Sequence, residues 1–207
     1  IGDVLTFGTT TLPTWLSFDT STKVLSGTPL NEHVGLNSVV LTVIDAFGEG
    51  ESQSFAITVA NTNDAPVFTS MAITKATEDS EYSYTMTKSD IDVGDTYTFA
   101  TTATFPSWLT FDGTATISGK PTNDHVGSNS VVLTVSDGTA TAEQSFTISV
   151  ANTNDAPEFS DPPTTIETNE DAVYSYTITA EDVDVGDALI FAVPTLPTWL
   201  SFDGTAT

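Results

Sequence analysis

Short segments in which apolar and polar residues alternate recur along this chain. In the middle of the sequence they lie at 82–87, 97–101, 130–135 and 145–150, and they are rich in β-branched and aromatic residues. A period of two is typical of strands with one face in a core and the other in water. Since no segment has the 3.6-residue period of an amphipathic helix, the pattern predicts an all-β protein.

Three shorter apolar segments, at 67–74, 108–111 and 115–118, complete the predicted strands of this region. Aspartate-glycine pairs that begin at Asp112 and Asp137 separate some of these segments, and such pairs favour tight turns. Seven short strands within about 90 residues are typical of an immunoglobulin-like β-sandwich.

The same features return at a fixed spacing. The segment 61–66, Asn-Thr-Asn-Asp-Ala-Pro, is repeated letter for letter at 152–157, and His125 follows His33 by 92 residues. Such a period is too long for helical solenoids or propeller blades, and it indicates one small β-sandwich per repeat. Each repeat also contains one tryptophan, and we predict that its indole fills the core rather than a surface platform for sugars.

The repeat phase predicts three domains. Residues 1–64 form a repeat that lacks its N-terminal strands, 65–155 form a complete repeat, and 156–207 form one that lacks its C-terminal strands. Incomplete sandwiches would leave sheet edges and core faces exposed, so we interpret the chain as part of a longer array. The alternative is that neighbouring chains complete each other's sandwiches by donating strands.

Composition restricts the partners and the compartment. The net charge is −24, from 28 acidic residues against four lysines, and cysteine is absent. Without a basic patch, we expect binding neither to nucleic acid nor to anionic membrane surfaces. No apolar run is long enough to span a bilayer, so we expect no membrane insertion in this segment. An acidic, threonine-rich chain that cannot form disulfides is the composition we expect of an extracellular or cell-surface protein.

The sequence offers little that is typical of an enzyme. His33 and His125 lie near acidic residues and serines, but they occupy the same position of successive repeats. We do not expect a catalytic centre to be duplicated in this way, and we predict loop histidines that bond to the backbone. Nucleophile elbows, zinc-ligand spacings, phosphate loops and cofactor fingerprints are also missing from the sequence. We therefore predict that the chain is not an enzyme.

Paired carboxylates stand near the start of two repeats. Asp90 and Asp92 are separated by one residue, as are Asp182 and Asp184, and a further aspartate follows each pair. Residues two apart in an extended segment point to the same side, so each pair can approach one ion. Calcium takes six to eight oxygen ligands from carboxylates and carbonyls. The alternative is that these residues cap turns and keep an acidic surface hydrated.

Several motifs occur in a fixed order along the repeat. They are a Pro-x-Trp-Leu-x-Phe-Asp segment, a Ser-Gly-x-Pro turn, a Val-Val-Leu-Thr-Val strand followed by aspartate, and the Asn-Thr-Asn-Asp-Ala-Pro linker. Because these motifs occur in this order, the chain resembles the dystroglycan-type cadherin-like repeats and the related Putative Ig repeats of large microbial surface proteins. The resemblance implies tandem Greek-key β-sandwiches with calcium bound at the joints between successive repeats.

The resemblance also implies ligands for two joints. The first joint would draw on Glu32, Asn61, Asn63, Asp64, Asp90, Asp92 and Asp137. The second joint would draw on Glu78, Asp124, Asn152, Asn154, Asp155, Asp182 and Asp184. The linker departs from the cadherin pattern because it is one residue shorter and starts with asparagine, and Asn123-Asp124 lacks the Arg-Glu pair. We therefore expect each joint to bind fewer calcium ions, or to bind them more weakly.

Together these features predict a non-enzymatic, extracellular spacer or adhesin array that calcium stiffens, which extends a surface protein or forms a filament. The expected partners are calcium, neighbouring repeats of the same chain, and either like chains in a filament or cell-surface glycans. Two alternatives remain open. The repeats could be carbohydrate-binding accessory modules of a secreted enzyme, or the chain could be a filament subunit that exchanges strands.

Overall fold

The computed structural model describes residues 4–102 and 105–204. The chain forms two compact units, which consist of Ile1–Thr69, Thr87–Phe99 and Thr134–Glu143 in the first, and Ser70–Met86, Ala100–Leu133 and Gln144–Thr207 in the second. Within the described residues, helical structure is limited to the 3-10 turns Asn31–His33 and Asn123–His125, and the regular structure is otherwise β. The predicted all-β class is therefore correct.

The strands are short, apart from two long hairpins. The strands before the first linker are β1 Thr6–Thr11, β2 Leu16–Asp19, β3 Val24–Gly27, β4 Gly35–Ile44 and β5 Gly50–Val59. Those that follow are β6 Val67–Phe68, β7 Lys75–Thr77, β8 Tyr82–Thr85, β9 Lys88–Ser89, β10 Thr98–Thr101, β11 Thr110–Phe111, β12 Thr116–Gly119, β13 Gly127–Ser136, β14 Thr141–Ala151, β15 Glu158–Phe159 and β16 Ala180–Glu181.

In the first unit, the β4–β5 hairpin is the largest element. It pairs in register from Gly35 with Val59 to Ile44 with Gly50, and β1 adds to its β4 edge in the order β1-β4-β5. Strands β2 and β3 form a separate hairpin, and β6 pairs with β9 in an antiparallel ladder. Val39 of β4 is fully buried.

In the second unit, β11, β12 and β8 form one antiparallel sheet, in that order. Strand β7 adds in parallel to the end of β14 within a sheet of order β10-β13-β14-β7. The side chains of Ile117, Leu133 and Ile148 are fully buried. Because these residues come from β12, β13 and β14, the core lies between strands that are distant in sequence, and burial of their apolar surface stabilises the sandwich.

The tryptophans differ in burial. Trp108 is 7% exposed; it meets Tyr82 edge-on and donates its Nε1–H to Asn129 Oδ1 at 3.0 Å. Trp199 also meets a tyrosine edge-on, Tyr174, but it is 65% exposed. The prediction of a core indole is therefore confirmed for Trp108 and wrong for Trp199.

The strand predicted at 67–74 is wrong beyond Phe68. In the middle of this segment the backbone bonds to side chains: Ile73 O accepts from the Tyr82 hydroxyl at 2.8 Å, and Ser70 O accepts from Gln144 Nε2 at 3.0 Å. Each end of the segment makes a backbone bond to a neighbour, from Thr69 N to Thr87 O and from Ser149 N to Thr74 O. Because these side chains satisfy the carbonyls, the segment needs no ladder, and strand pairing resumes at Lys75.

Both histidines stabilise the start of a 3-10 turn. His33 Nδ1 accepts from Leu30 N at 2.9 Å, and His125 Nδ1 accepts from Thr122 N at 3.1 Å. The predicted role of loop histidines bonded to the backbone is therefore confirmed.

Asp112 closes the turn between β11 and β12. Its Oδ1 accepts from the backbone N–H groups of Thr114, Ala115 and Thr116, at 2.7 to 3.0 Å. These bonds to the ionised form hold the pKa of Asp112 well below its usual range.

The turn aspartate predicts a pH-dependent effect of Asp112→Asn. The folded-state pKa lies below the unfolded value of about 4, so the stabilisation is full above that value and is lost as the pH falls toward the folded pKa. We expect the variant to melt below the wild type at pH 7, with a much smaller difference at pH 2, in thermal unfolding followed by fluorescence. Equal differences at both pH values would contradict this account, and Glu51→Gln, at an exposed site on β5, controls for the loss of one charge.

Among the described residues, no helix has both the length and the apolar composition that a bilayer span requires.

Candidate metal centre

The first acidic cluster consists of Asp90, Asp95 and Asp137, whose carboxylate oxygens lie within 4.8 Å of one another. Asp90 directly follows β9, Asp95 lies in the segment before β10, and Asp137 directly follows β13. All three residues are half-buried. The strand ends thus bring together carboxylates that are up to 47 residues apart in the sequence.

Asp92 lies beside this cluster and is 4% exposed. Its Oδ2 accepts from Asp64 N at 2.6 Å, and its own N–H donates to Asp90 Oδ1 at 3.0 Å. Among the described residues, Asp92 Oδ1 and Asp90 Oδ2 are buried without a hydrogen-bond partner. A buried carboxylate oxygen without a partner is costly, and a bound cation would remove that cost.

The linker reaches the same cluster through asparagine amides. Asn63 Nδ2 donates to Asp137 Oδ2 at 3.0 Å and to Asp64 O at 2.7 Å, and Asn31 Nδ2 donates to Asp64 Oδ2 at 2.8 Å. The other two residues predicted for this joint, Asn61 and Glu32, are exposed. The nearest charged partner of Glu32 is His33, at 3.5 Å, so its assignment as a ligand stays a prediction.

The second acidic cluster consists of Asp182, Asp184 and Asp187, again with carboxylate oxygens within 4.8 Å. Asp184 is 5% exposed and is the most heavily bonded member. Its Oδ2 accepts from Asp155 N at 2.7 Å, and its Oδ1 accepts from Asn152 Nδ2 at 2.8 Å and from Asn123 Nδ2 at 3.3 Å. The bond from Asp155 to Asp184 repeats the bond from Asp64 to Asp92, so the linker meets each repeat in the same way.

A third group, the Glu78 cluster, consists of Glu78, Asp79 and Asp155. Glu78 is 2% exposed, and its Oε2 accepts from Thr153 N at 3.1 Å. Asp79 forms an ion pair with Lys120 at 3.2 Å. Asp155 therefore belongs to this group through its carboxylate and bonds to the second acidic cluster through its backbone.

The remaining predicted ligands of the second joint contribute less to the described geometry. Asn154 Nδ2 donates to Asp155 O at 2.6 Å, and its side chain is exposed. Asp124 is exposed on its 3-10 turn. Its assignment as a ligand stays a prediction.

Hydrogen bonds keep two of the carboxylates ionised. The pKa of Asp137 lies below its usual value because the backbone N–H groups of Ala140 and Thr139 donate to it. The pKa of Asp184 is lowered mainly by the backbone N–H of Asp155. A cation binds the deprotonated carboxylate, which is the form that these bonds favour.

Like charges act in the opposite direction on Asp95. Partial desolvation raises its pKa, and the neighbouring charges of Asp92, Asp90 and Asp137 raise it further. The positive charge of Lys88 opposes this rise. Repulsion among four carboxylates is the condition that a divalent cation relieves.

The sequence-based ligand set omitted several residues that the structure places in the clusters or bonds to them. Asp95 and Asp187 belong to the clusters, and Asn31 and Asn123 donate to cluster or linker carboxylates. A signal was present in the sequence: asparagine is kept at both 31 and 123, whereas the acidic residue after it changes from glutamate to aspartate.

The donor set suits a hard cation. Among the described residues, the three clusters are made of carboxylates, and they contain none of the histidine or cysteine ligands that zinc prefers. The buried Asp92 oxygen that lacks a partner supports the same fit. Of the common hard cations, Ca²⁺ tolerates irregular ligand arrangements of this kind better than Mg²⁺, which requires a near-octahedral site.

The chain belongs to the family described as Putative Ig domain, whose model matches residues 1–60, 65–151 and 156–207. Over 133 residues it is 33% identical to the "Serine-rich adhesin for platelets" of Staphylococcus aureus strain USA300. That match covers 64% of this chain and 6% of the adhesin. The chain thus spans only a small part of the length of the curated relatives it matches.

The fold is also similar to that of solved extracellular domains. Protocadherin gammaB7, described as an EC3-6 cis-dimer structure, matches with a TM-score of 0.57 and 19% identity, over 95% of this chain and 54% of that one. An endo-fucoidan hydrolase from glycoside hydrolase family 107 is 30% identical over 73% of this chain and 24% of that one, with a TM-score of 0.38. The predicted class of tandem immunoglobulin-like, cadherin-like Greek-key sandwiches is confirmed. The repeat length stays a prediction.

Proposed function

We propose that this chain is a non-enzymatic spacer segment of an extracellular surface adhesin, and that calcium at its joints makes it stiff. Family membership and the similarity to a staphylococcal adhesin support the adhesin part of the proposal. The observation that carries the calcium part is Asp92, a buried carboxylate with one oxygen bonded to the linker and one without a partner among the described residues.

The proposed domains are 1–64, 65–155 and 156–207, so the two joints lie at the repeated Asn-Thr-Asn-Asp-Ala-Pro linkers. At the first joint, the ion would be held by the first acidic cluster and Asp92, with Asn63 and Asp64 from the linker. At the second joint, the corresponding residues are the second acidic cluster with Asn152 and Asp155. Glu78 belongs with Asp155 to the Glu78 cluster.

Calcium would supply two positive charges at the place where carboxylates repel one another. The chain's own residues position the linkers and the carboxylates. The Asp64 and Asp155 amides tie the linkers to buried aspartates, and the asparagine side chains orient the carboxylates from the linker side. Because each ligand set includes linker and repeat residues, filling the site removes linker freedom, and this is how ion binding becomes stiffness.

The proposed partners are calcium, neighbouring repeats, and like chains or cell-surface glycans on the outside of the cell. The net charge of −24 favours this setting, because divalent ions and ionic strength screen the repulsion within the chain.

A glycan-binding accessory module is the second candidate. A hollow of about 620 Å³ in residues 174–203 is lined by Tyr174, Tyr176 and Trp199, which are aromatic residues that could stack on sugars. At the equivalent positions of the middle repeat, however, Tyr82, Tyr84 and Trp108 are buried in the core. We therefore interpret the hollow as a core face and favour the spacer.

The test is small-angle X-ray scattering of this chain, titrated with calcium to about 10⁻² M and then with chelator, at constant ionic strength. We expect a reversible increase in the maximum dimension, with little change in β-sheet content by circular dichroism, because the ion orders linkers rather than cores. Magnesium at the same concentration is the control. A scattering profile that calcium leaves unchanged would contradict the proposal and favour a passive spacer or glycan-binding module.

A further inference from the structure

A lysine lies next in sequence to the first acidic cluster and has no counterpart at the second joint. Lys88, on β9, is half-buried, and its ammonium group lies over the ring of Tyr97. Lys88 precedes Asp90 by two residues and Tyr97 follows Asp95 by two, so the contact between them joins the two segments that carry these carboxylates. Attraction between an ammonium group and an aromatic face holds the side chain in place at this position.

The following repeat has neither partner of this pair. The residues 92 positions later are Ala180 and Leu189, so the second acidic cluster has no ammonium group at this place. Both partners change together, which is expected if the tyrosine serves to hold the lysine.

The residues that follow positions 88 and 180 also make the second joint more negative than the first. Ser89 pairs with Val67 across β6 and β9, whereas Glu181 pairs directly with Glu158 across β15 and β16. Like charges directly opposite each other in a ladder are unfavourable. The pair β15–β16, which leads into the second acidic cluster, thus has two negative charges at a position where the pair β6–β9 has none. This difference adds to the absence of the lysine.

We propose that Lys88, held over the Tyr97 ring, is an internal counter-ion of the first acidic cluster and lowers the calcium affinity of the first joint. The inference rests on the calcium sites proposed above. A unit positive charge near the carboxylates already relieves part of their repulsion, so an incoming divalent ion gains less there and is itself repelled by the ammonium group. The calcium affinity of each joint is therefore set separately, by the residue at position 88 or 180.

The experiment exchanges the two residues in the full 207-residue chain. Calcium binding is followed by NMR through the amide resonances of Asp64 and Asp155, which donate to the buried aspartates of the first and second joints. We expect Lys88→Ala to lower the calcium midpoint at Asp64 about tenfold and to leave Asp155 unchanged, the size expected for one nearby charge at a partly exposed site. Ala180→Lys should raise the midpoint at Asp155 and leave Asp64 unchanged.

Lys88→Arg is the matched control, because it keeps the charge and the ring contact, and its midpoint should stay close to that of the wild type. The inference is overturned if Lys88→Ala changes neither midpoint, or changes both equally. Failure of the calcium proposal itself looks different: the Asp64 and Asp155 resonances of the wild type would then not respond to calcium at all.

Discussion

The variant Asp92→Asn/Asp184→Asn is expected to bind calcium on the order of 100-fold more weakly than the wild type, because each substitution removes the charge of the proposed ligand that bonds to the linker. Both positions are buried and both bond to a linker amide. Isothermal titration calorimetry measures the loss, and the stiffening seen by scattering should disappear with it.

The sign of the stability change separates a ligand from a structural carboxylate. In chelator, removing a buried charge whose Oδ1 has no partner among the described residues should leave Asp92→Asn as stable as the wild type or more stable. In calcium, the same variant should be less stable, because only the wild type gains from the ion. Melting temperatures in both conditions test this reversal.

Loss of stability in chelator as well as in calcium would mean that Asp92 is needed for the fold, which would count against the calcium assignment. Glu51→Gln is the control, since it removes one charge at an exposed position of β5, outside both predicted ligand sets. We expect this control to bind calcium within about threefold of the wild type.

Gly119→Ala is expected to destabilise the fold by about 3 kcal/mol or more. A Cβ at Gly119 would lie 2.0 Å from Trp108 O and 3.0 Å from Trp108 C. Both contacts are backbone, and the carbonyl belongs to the residue whose indole fills the core, so relief of the clash requires movement of the strand pair β11–β12. Urea unfolding monitored by tryptophan fluorescence measures the change.

Gly8→Ala is the matched control for the second prediction. Its added Cβ would meet Thr42 Oγ1 at 3.2 Å, a flexible side-chain atom that can move. We expect a cost within about 1 kcal/mol. Equal effects of the two substitutions would show that general loss of glycine, and not the approach of the Trp108 carbonyl, determines the result.

Gly119 also illustrates what could be predicted from the sequence. The Ser-Gly-x-Pro motif predicted a turn, yet Gly119 is the last residue of β12 and pairs with Tyr82. Spacing along a chain indicates that a small residue is needed, but the reason here is the approach of the Trp108 carbonyl, from the turn that precedes β11. Such a contact depends on how the turn packs against the end of β12, so the pattern of residue types does not contain it.

The candidate site shows the same division. The pairs Asp90 and Asp92, and Asp182 and Asp184, were predicted to lie on extended segments, and that geometry is wrong. Each pair lies at a bend that leads into a turn, in which the second aspartate's N–H donates to Oδ1 of the first. The contribution of Asn31 was missed, since it depends on the direction in which a 3-10 turn presents its first residue. In that turn Asn31 bonds to the linker residue Asp64, whereas the next residue, Glu32, is exposed. The two residues are adjacent, so the sequence alone does not show which of them faces the linker.

The parallel pairing of β7 with the end of β14 determines how this part of the chain resists tension. Lys75, Ala76 and Thr77 lie beside Ser149, Val150 and Ala151, so the entry strand runs in the same direction as the strand that leads into the second linker. A pull on the N-terminal side of β7 and the C-terminal side of β14 makes them slide along each other. Their hydrogen bonds are then strained in shear and must break together, whereas strands that are peeled apart break theirs one at a time.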